Sequence, residues 1–181
     1  MYKVYPKIIL ACLLLVMTGT VYSQRVTQTI NDGWKFSLFE GDASTADFDI
    51  SGWTDVSIPH TWNAKDADDE IPGYFRGKGW YRKVVAVEEL IPEQRVYLSF
   101  EGANQETNVF VNGTFVGNHK GGYSAFTFDV TDYVHAGRNL IAVSVDNSHN
   151  PDIAPLSADF TFFGGIYRDV YLVYTSPVQL S

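Results

Sequence analysis

The chain has 181 residues, 45% of them hydrophobic, enough for one domain with a proper core and too few for a sandwich plus a (β/α)8 barrel, which alone takes about 250 residues. With 21 acidic residues against 13 basic ones the formal charge is -8, so nothing draws the molecule toward phosphate backbones or anionic lipid, and nucleic acid is excluded as an expected partner. The aromatic share of 15% and the 15 glycines favour strands and turns over helices.

The first elements in chain order form a leader. Lys3 and Lys7 make a short positive region, residues 8–17 are apolar but too few to span a bilayer, and Val21-Tyr22-Ser23 supplies the residues a signal peptidase reads. Residues 1–23 are therefore expected to be a cleaved secretory signal, with Gln24 as the mature N-terminus, no membrane span afterwards, and a periplasmic or extracellular location. A lipoprotein signal ending at Cys12 is the alternative, but the apolar run continues beyond that cysteine. Cys12 is the only cysteine, so the mature chain can build neither a disulfide framework nor a thiolate metal site.

From Gln24 onward the dominant pattern is alternation with period two, broken by turn residues. Strands are expected near 34–38, 53–58 and 80–87. Val96, Leu98 and Phe100 then face one way while Tyr97 and Ser99 face the other. Asn112-Gly113 between Val109-Phe110-Val111 and Thr114-Phe115-Val116 predicts a two-residue type I′ hairpin, because Asn and Gly tolerate positive φ. Phe126, Phe128 and Val130 form another row, then Ile141, Val143 and Val145, and a last strand is expected over 166–174. No stretch of helical period competes. The expected class is all-β, a β-sandwich of the jelly-roll type. Two long segments, 63–78 and 147–165, are rich in Gly, Pro, Asp and Asn, and such loops gather at sandwich ends and carry function.

Four motifs in series resemble one family: Ile58-Pro59-His60-Thr61-Trp62-Asn63, Gly79-Trp80-Tyr81-Arg82, the Val109-Phe110-Val111-Asn112-Gly113 hairpin, and Gly165-Ile166-Tyr167-Arg168-Asp169-Val170. Together they look like the N-terminal sugar-binding domain of family-2 glycoside hydrolases, which include β-galactosidases, β-glucuronidases and β-mannosidases. The Pro-His-Thr-Trp-Asn and Trp-Tyr-Arg details are most similar to the β-galactosidase-like members. The resemblance implies a galactose-binding-domain-like jelly roll over 24–181. It implies a β-linked glycoside or oligosaccharide as substrate of the whole enzyme, and an immunoglobulin-like domain and a catalytic barrel as partners in the same polypeptide. It also implies one site residue. In the family an aspartate six positions before the glycine of Gly-Ile-x-Arg reaches into the barrel's active site and meets sugar hydroxyls directly or through a cation; here that residue is Asp159. A carboxylate can accept from two adjacent hydroxyls, and the neighbouring Phe160, Phe162 and Phe163 can stack on a pyranose face. A cation near Asp159 is expected only in the full-length enzyme, and no other cofactor is implied.

The remaining motif residues read as structural. Gly164 and Gly165 are expected to turn the loop tightly into the last strand, Arg168 and Asp169 to lie on that strand and serve packing and rim ion pairs, and His60 to anchor a loop. Asp66, Asp68, Asp69 and Glu70 lack the spacing and glycine of a calcium loop, so they read as a solvated acidic stretch rather than a metal site. No catalytic residue is expected in this chain. A retaining glycosidase holds two carboxyl groups about 5–5.5 Å apart; in the family the acid/base glutamate directly follows an asparagine, and none of the seven glutamates here does. The expectation is the N-terminal piece of an exported β-galactosidase-like hydrolase, without its barrel and inactive alone. A free-standing carbohydrate-binding or adhesion module is the alternative.

Overall fold

The computed structural model describes residues 25–66, 73–154 and 161–175; residues 1–23, Gln24, the stretch with Asp68, Asp69 and Glu70, and Asp159 with Phe160 lie outside them. Among the described residues the chain forms β1 (Arg25–Thr29), β2 (Trp34–Leu38), β3 (Thr54–Val56), β4 (Lys78–Val87), β5 (Arg95–Phe100), β6 (Glu106–Val111), β7 (Thr114–Lys120), β8 (Phe126–Asp129), β9 (Gly137–Asp146) and β10 (Val170–Thr175). Among these described residues only two short 3-10 turns, Trp62–Lys65 and Thr131–Tyr133, interrupt the strands. One sheet runs β1-β10-β5-β8 and the other β3-β2-β4-β9-β6-β7, every pair antiparallel. This is the jelly-roll sandwich expected from the alternation.

The alternating residues become the core. Val96, Leu98 and Phe100 of β5 meet Val109 and Val111 of β6 and Ile141, Val143 and Val145 of β9 in one buried cluster with Trp34, Tyr81, Ile166 and Leu172. Each such side chain contributes roughly 1.5–3 kcal/mol by leaving water. β9 departs from simple alternation, because Ala142 and Ser144 are buried too. Ala142, Trp80 and Ala43 form a second cluster on the outer face of the larger sheet, with Phe48, Trp53 and Phe110 packed on it, so this face is covered by the connection between β2 and β3.

The hairpin forms as the Asn-Gly dipeptide predicts. Val111 pairs with Thr114, and both turn residues are left-handed, Asn112 at φ 52 and Gly113 at φ 81. Two details of the sequence reading change. β1 escapes the pattern because all five of its residues are exposed, and the last strand starts at Val170 rather than 166. Arg168 and Asp169 therefore precede that strand, and neither takes part in an ion pair among the described residues. Asp169 instead accepts from Asn31 Nδ2 at 2.9 Å and Tyr171 Oη at 3.0 Å, holding the Tyr171 phenol up at about 12. Arg168 lies over the Tyr167 ring, 5.8 Å from its centroid.

Candidate functional site

The two long loops meet at one end of the sandwich, and buried amides join them. Thr61 caps the first 3-10 turn by accepting from Asn63 N at 3.2 Å, which turns the Asn63 side chain inward. There, at 2% exposure, Asn63 Nδ2 donates to Asp66 Oδ2 and to Phe75 O, both at 2.7 Å, and its Oδ1 accepts from Gly164 N at 2.6 Å. Asn147, fully buried at the end of β9, accepts from Gly77 N at 2.9 Å and donates to Phe162 O at 2.9 Å. Asn104 clasps the other side of the second loop, donating from Nδ2 to Phe163 O at 2.8 Å while its backbone exchanges bonds with Gly165. Buried polar backbone in irregular loops needs such partners, and three asparagines supply them.

Packing sets the path of the second loop as firmly. Trp62 stacks on Phe36 with ring centroids 5.9 Å apart and lies against two glycines: a Cβ at Gly79 would come 2.7 Å from its ring, and one at Gly164 only 2.0 Å. Gly165, at φ +120, passes so near the 58–62 segment that a Cβ would lie 2.5 Å from His60 O. His60 is the loop anchor expected of it. Its backbone N donates to Ile166 O at 2.8 Å, its Nδ1 sits 2.8 Å from Tyr81 Oη, and burial lowers its pKa. Burial also raises the Tyr81 pKa, so the phenol keeps its proton and pairs with the imidazole as a neutral hydroxyl.

This frame supports two adjoining grooves. One, of about 200 Å³, lies between Asn104, Tyr123, Thr161, Phe163 and Tyr167. The other, of about 310 Å³, has Asn63, Asp66, Gly73 and Tyr74 on one side and the same Thr161 and Phe163 on the other. The ridge between them directly follows Asp159 and Phe160 in the chain. Of the aromatics expected to meet a sugar, Phe162 at 6% exposure is packed inward beneath the Arg76 guanidinium, 4.9 Å from its ring centroid, whereas Phe163 at 47% faces outward. Tyr123, from the turn after β7, stands across the first groove at 54% exposure. Sequence reasoning named neither Tyr123 nor Asn104, whose surroundings give no periodic or motif signal. Flat rings beside amide and carboxylate edges suit a polar ring compound. Among the described residues no three His, Cys, Asp or Glu side chains gather in a way that could hold a metal ion, and no helix is long and apolar enough to cross a membrane.

An all-β sandwich with paired aromatic grooves at one loop end defines a candidate carbohydrate-binding domain. Residues 27–177 match the family described as glycosyl hydrolases family 2, sugar binding domain, and the chain belongs to that family. It is 37% identical over 172 residues to a beta-glucuronidase of Bacteroides fragilis, covering 93% of this chain and 23% of that protein. To a beta-galactosidase of Thermoanaerobacter pseudethanolicus it is 40% identical over 157 residues, covering 81% of this chain and 19% of the relative. The crystal structure of a Bacteroides uniformis beta-glucuronidase superposes with a TM-score of 0.77 at 46% identity, over 83% of this chain and 18% of that one. The chain thus spans about a fifth of the length of these relatives.

Proposed function

We propose that this chain is the N-terminal sugar-binding domain of an exported, retaining glycoside hydrolase of the β-galactosidase or β-glucuronidase type, acting on β-linked glycosides or oligosaccharides. In this reading residues 1–23 direct export and are removed, and 24–181 form the sandwich. The sandwich buttresses a catalytic barrel, and the barrel carries the acid/base and nucleophile glutamates. Asp159 reaches from the second loop to the substrate, where its carboxylate accepts from sugar hydroxyls directly or through a cation that only the full-length enzyme would hold. The observation that supports this most is the pair of aromatic grooves flanking the ridge just after Asp159, held in place by Asn63, Asn104 and Asn147.

The test separates domain from enzyme. The 181-residue chain, purified alone, is expected to hydrolyse neither nitrophenyl galactosides nor nitrophenyl glucuronides, whereas the polypeptide encoded with its downstream reading frame is expected to turn over one of them. Turnover by the isolated chain that disappears on mutating one of its glutamates would overturn the reading. So would a stop codon directly after Ser181 followed by an unrelated gene, which favours the free-standing carbohydrate-binding module.

A further inference from the structure

The hairpin far from the grooves carries reactive chemistry that the proposed function does not use. Asn112 is exposed and is followed by Gly113, at which an added Cβ would meet nothing nearer than 3.8 Å. The Gly113 side of the turn is therefore uncrowded, and the Asn112 side chain borders water. Three hydrogen bonds hold that amide still. Its Nδ2 donates to Tyr133 O and to Asn139 Oδ1, both at 2.9 Å, and its Oδ1 accepts from Leu140 N at 2.9 Å. Asn139 is itself fixed, donating to His135 O at 2.7 Å and Gly137 O at 3.1 Å and accepting from His135 N at 3.0 Å.

We propose that Asn112 is a spontaneous deamidation site held shut by the Asn112–Asn139 amide pair. When the pair opens, the deprotonated Gly113 backbone nitrogen attacks Asn112 Cγ. A new C–N bond closes a succinimide ring, the Cγ–Nδ2 bond breaks, and Nδ2 leaves as ammonia with protons taken from solvent. Water then adds to either ring carbonyl and gives aspartate or isoaspartate; nothing is oxidised or reduced. The reaction is one-way for the fold. A carboxylate at position 112 has no hydrogen to offer and would face two acceptors, Tyr133 O and Asn139 Oδ1, while isoaspartate lengthens the backbone and spoils a two-residue turn. Asn112-Gly113-Thr114 also reads as an N-glycosylation acceptor, but both Nδ2 hydrogens are engaged in the folded chain. Deamidation during transient opening is the modification that this geometry selects.

The experiment incubates the full 181-residue chain in mildly alkaline buffer, folded, in sub-denaturing urea and fully unfolded, and maps aspartate and isoaspartate at position 112 by peptide mass spectrometry. Folded chain is expected to react at least about tenfold more slowly than unfolded chain, and the rate in urea to rise in step with hydrogen exchange of the Leu140 amide that bonds Asn112. Asn139→Ala is expected to speed the reaction several-fold while circular dichroism still shows the sandwich. Equal rates in folded and unfolded chain overturn the proposal, as does a urea series in which deamidation and Leu140 exchange do not move together, a result that stands whether or not the variant folds. A glycan on Asn112 of the exported protein also overturns it.

Discussion

The two ends of the sandwich are each fastened by a pair of asparagines, and the pairs do different work. At the hairpin end Asn112 and Asn139 tie a two-residue turn to the start of β9, and the backbone they satisfy, at His135 and Gly137, borders water. At the groove end Asn63 and Asn147 satisfy Gly164, Gly77, Phe75 and Phe162 from two loops distant in sequence, with water excluded from most of these contacts. One pair closes a local turn. The other sets where a whole loop lies, and with it the ridge between the grooves. The same side-chain chemistry thus gives local order at one end and a shaped surface at the other, and the difference comes from what surrounds the amides.

Glycine substitutions should expose that difference most strongly. Gly165→Ala places a Cβ 2.5 Å from the His60 carbonyl at φ +120, a backbone clash that cannot relax by moving a side chain. A loss of about 3–5 kcal/mol is expected. Gly113→Ala clashes with nothing, its Cβ lying 3.8 Å from Thr45 Cα, and bears only the left-handed backbone cost, about 1–2 kcal/mol. Urea denaturation of the two variants checks the ranking, and equal losses would mean that the groove end is no more tightly built than the hairpin.

The amide pairs follow. Asn147→Ala leaves Gly77 N and Phe162 O without partners in a dry site and is expected to cost about 2–4 kcal/mol. Asn139→Ala uncovers groups that water can reach, and about 1–2 kcal/mol is expected. Thermal melts of both variants give the comparison directly, and a larger loss for Asn139→Ala would reverse the assignment of the two ends.

How far the sequence reveals this differs between the ends as well. The hairpin was legible residue by residue, since Asn-Gly has a local conformational meaning that no tertiary contact needs to supply. The core rows of β5 and β9 were legible for the same reason. The groove end was legible only as two loops of suspicious length: nothing local marks Asn63 or Asn147 as partners 84 residues apart, and Asn104 and Tyr123 reach the site by topology alone. β1 leaves no trace in the pattern because its exposed residues carry no alternation, and the segment before β10 resembles a strand because Ile166 is buried by the His60–Tyr81 corner rather than by strand pairing.

Function should separate two aspartates of the groove end, with a smaller energy. In the full-length enzyme proposed above, Asp159→Ala is expected to remove a charge-assisted hydrogen bond worth about 1.5–3 kcal/mol. That lowers kcat/KM by about ten- to two-hundred-fold, with a Tm shift of no more than a few degrees. Asp169→Ala, which loses the Asn31 and Tyr171 bonds, is expected to lower Tm and leave kcat/KM nearly unchanged. The opposite pattern, with both proteins folded, would move the substrate contact away from the second loop.

The smallest effect is the dependence of stability on pH, and its sign follows from His60. Burial lowers its pKa from the ordinary 6.5, so the folded state favours the neutral imidazole, whose Nδ1 is bonded to Tyr81 Oη. Below pH 6.5 the unfolded chain binds a proton that the folded chain resists, and stability is lost progressively as pH falls toward the folded pKa. Above 6.5 this contribution is fully present. His119, stacked on Phe126 with centroids 4.1 Å apart, is also lowered by burial and adds a contribution of the same sign. Asp47, Asp49 and Asp129 are held below their ordinary 3.8, so they weaken the fold only in more acid solution. Denaturation midpoints measured from neutrality down to about pH 5 should therefore fall, across the range where imidazole side chains change charge. His60→Gln keeps a hydrogen-bonding group beside Tyr81 without the titration, and is expected to flatten that slope in part, leaving the share due to His119. If His60→Gln has the same slope as the parent chain, the groove-end corner is not the pH-sensitive element, and His119 beside β8 carries the dependence.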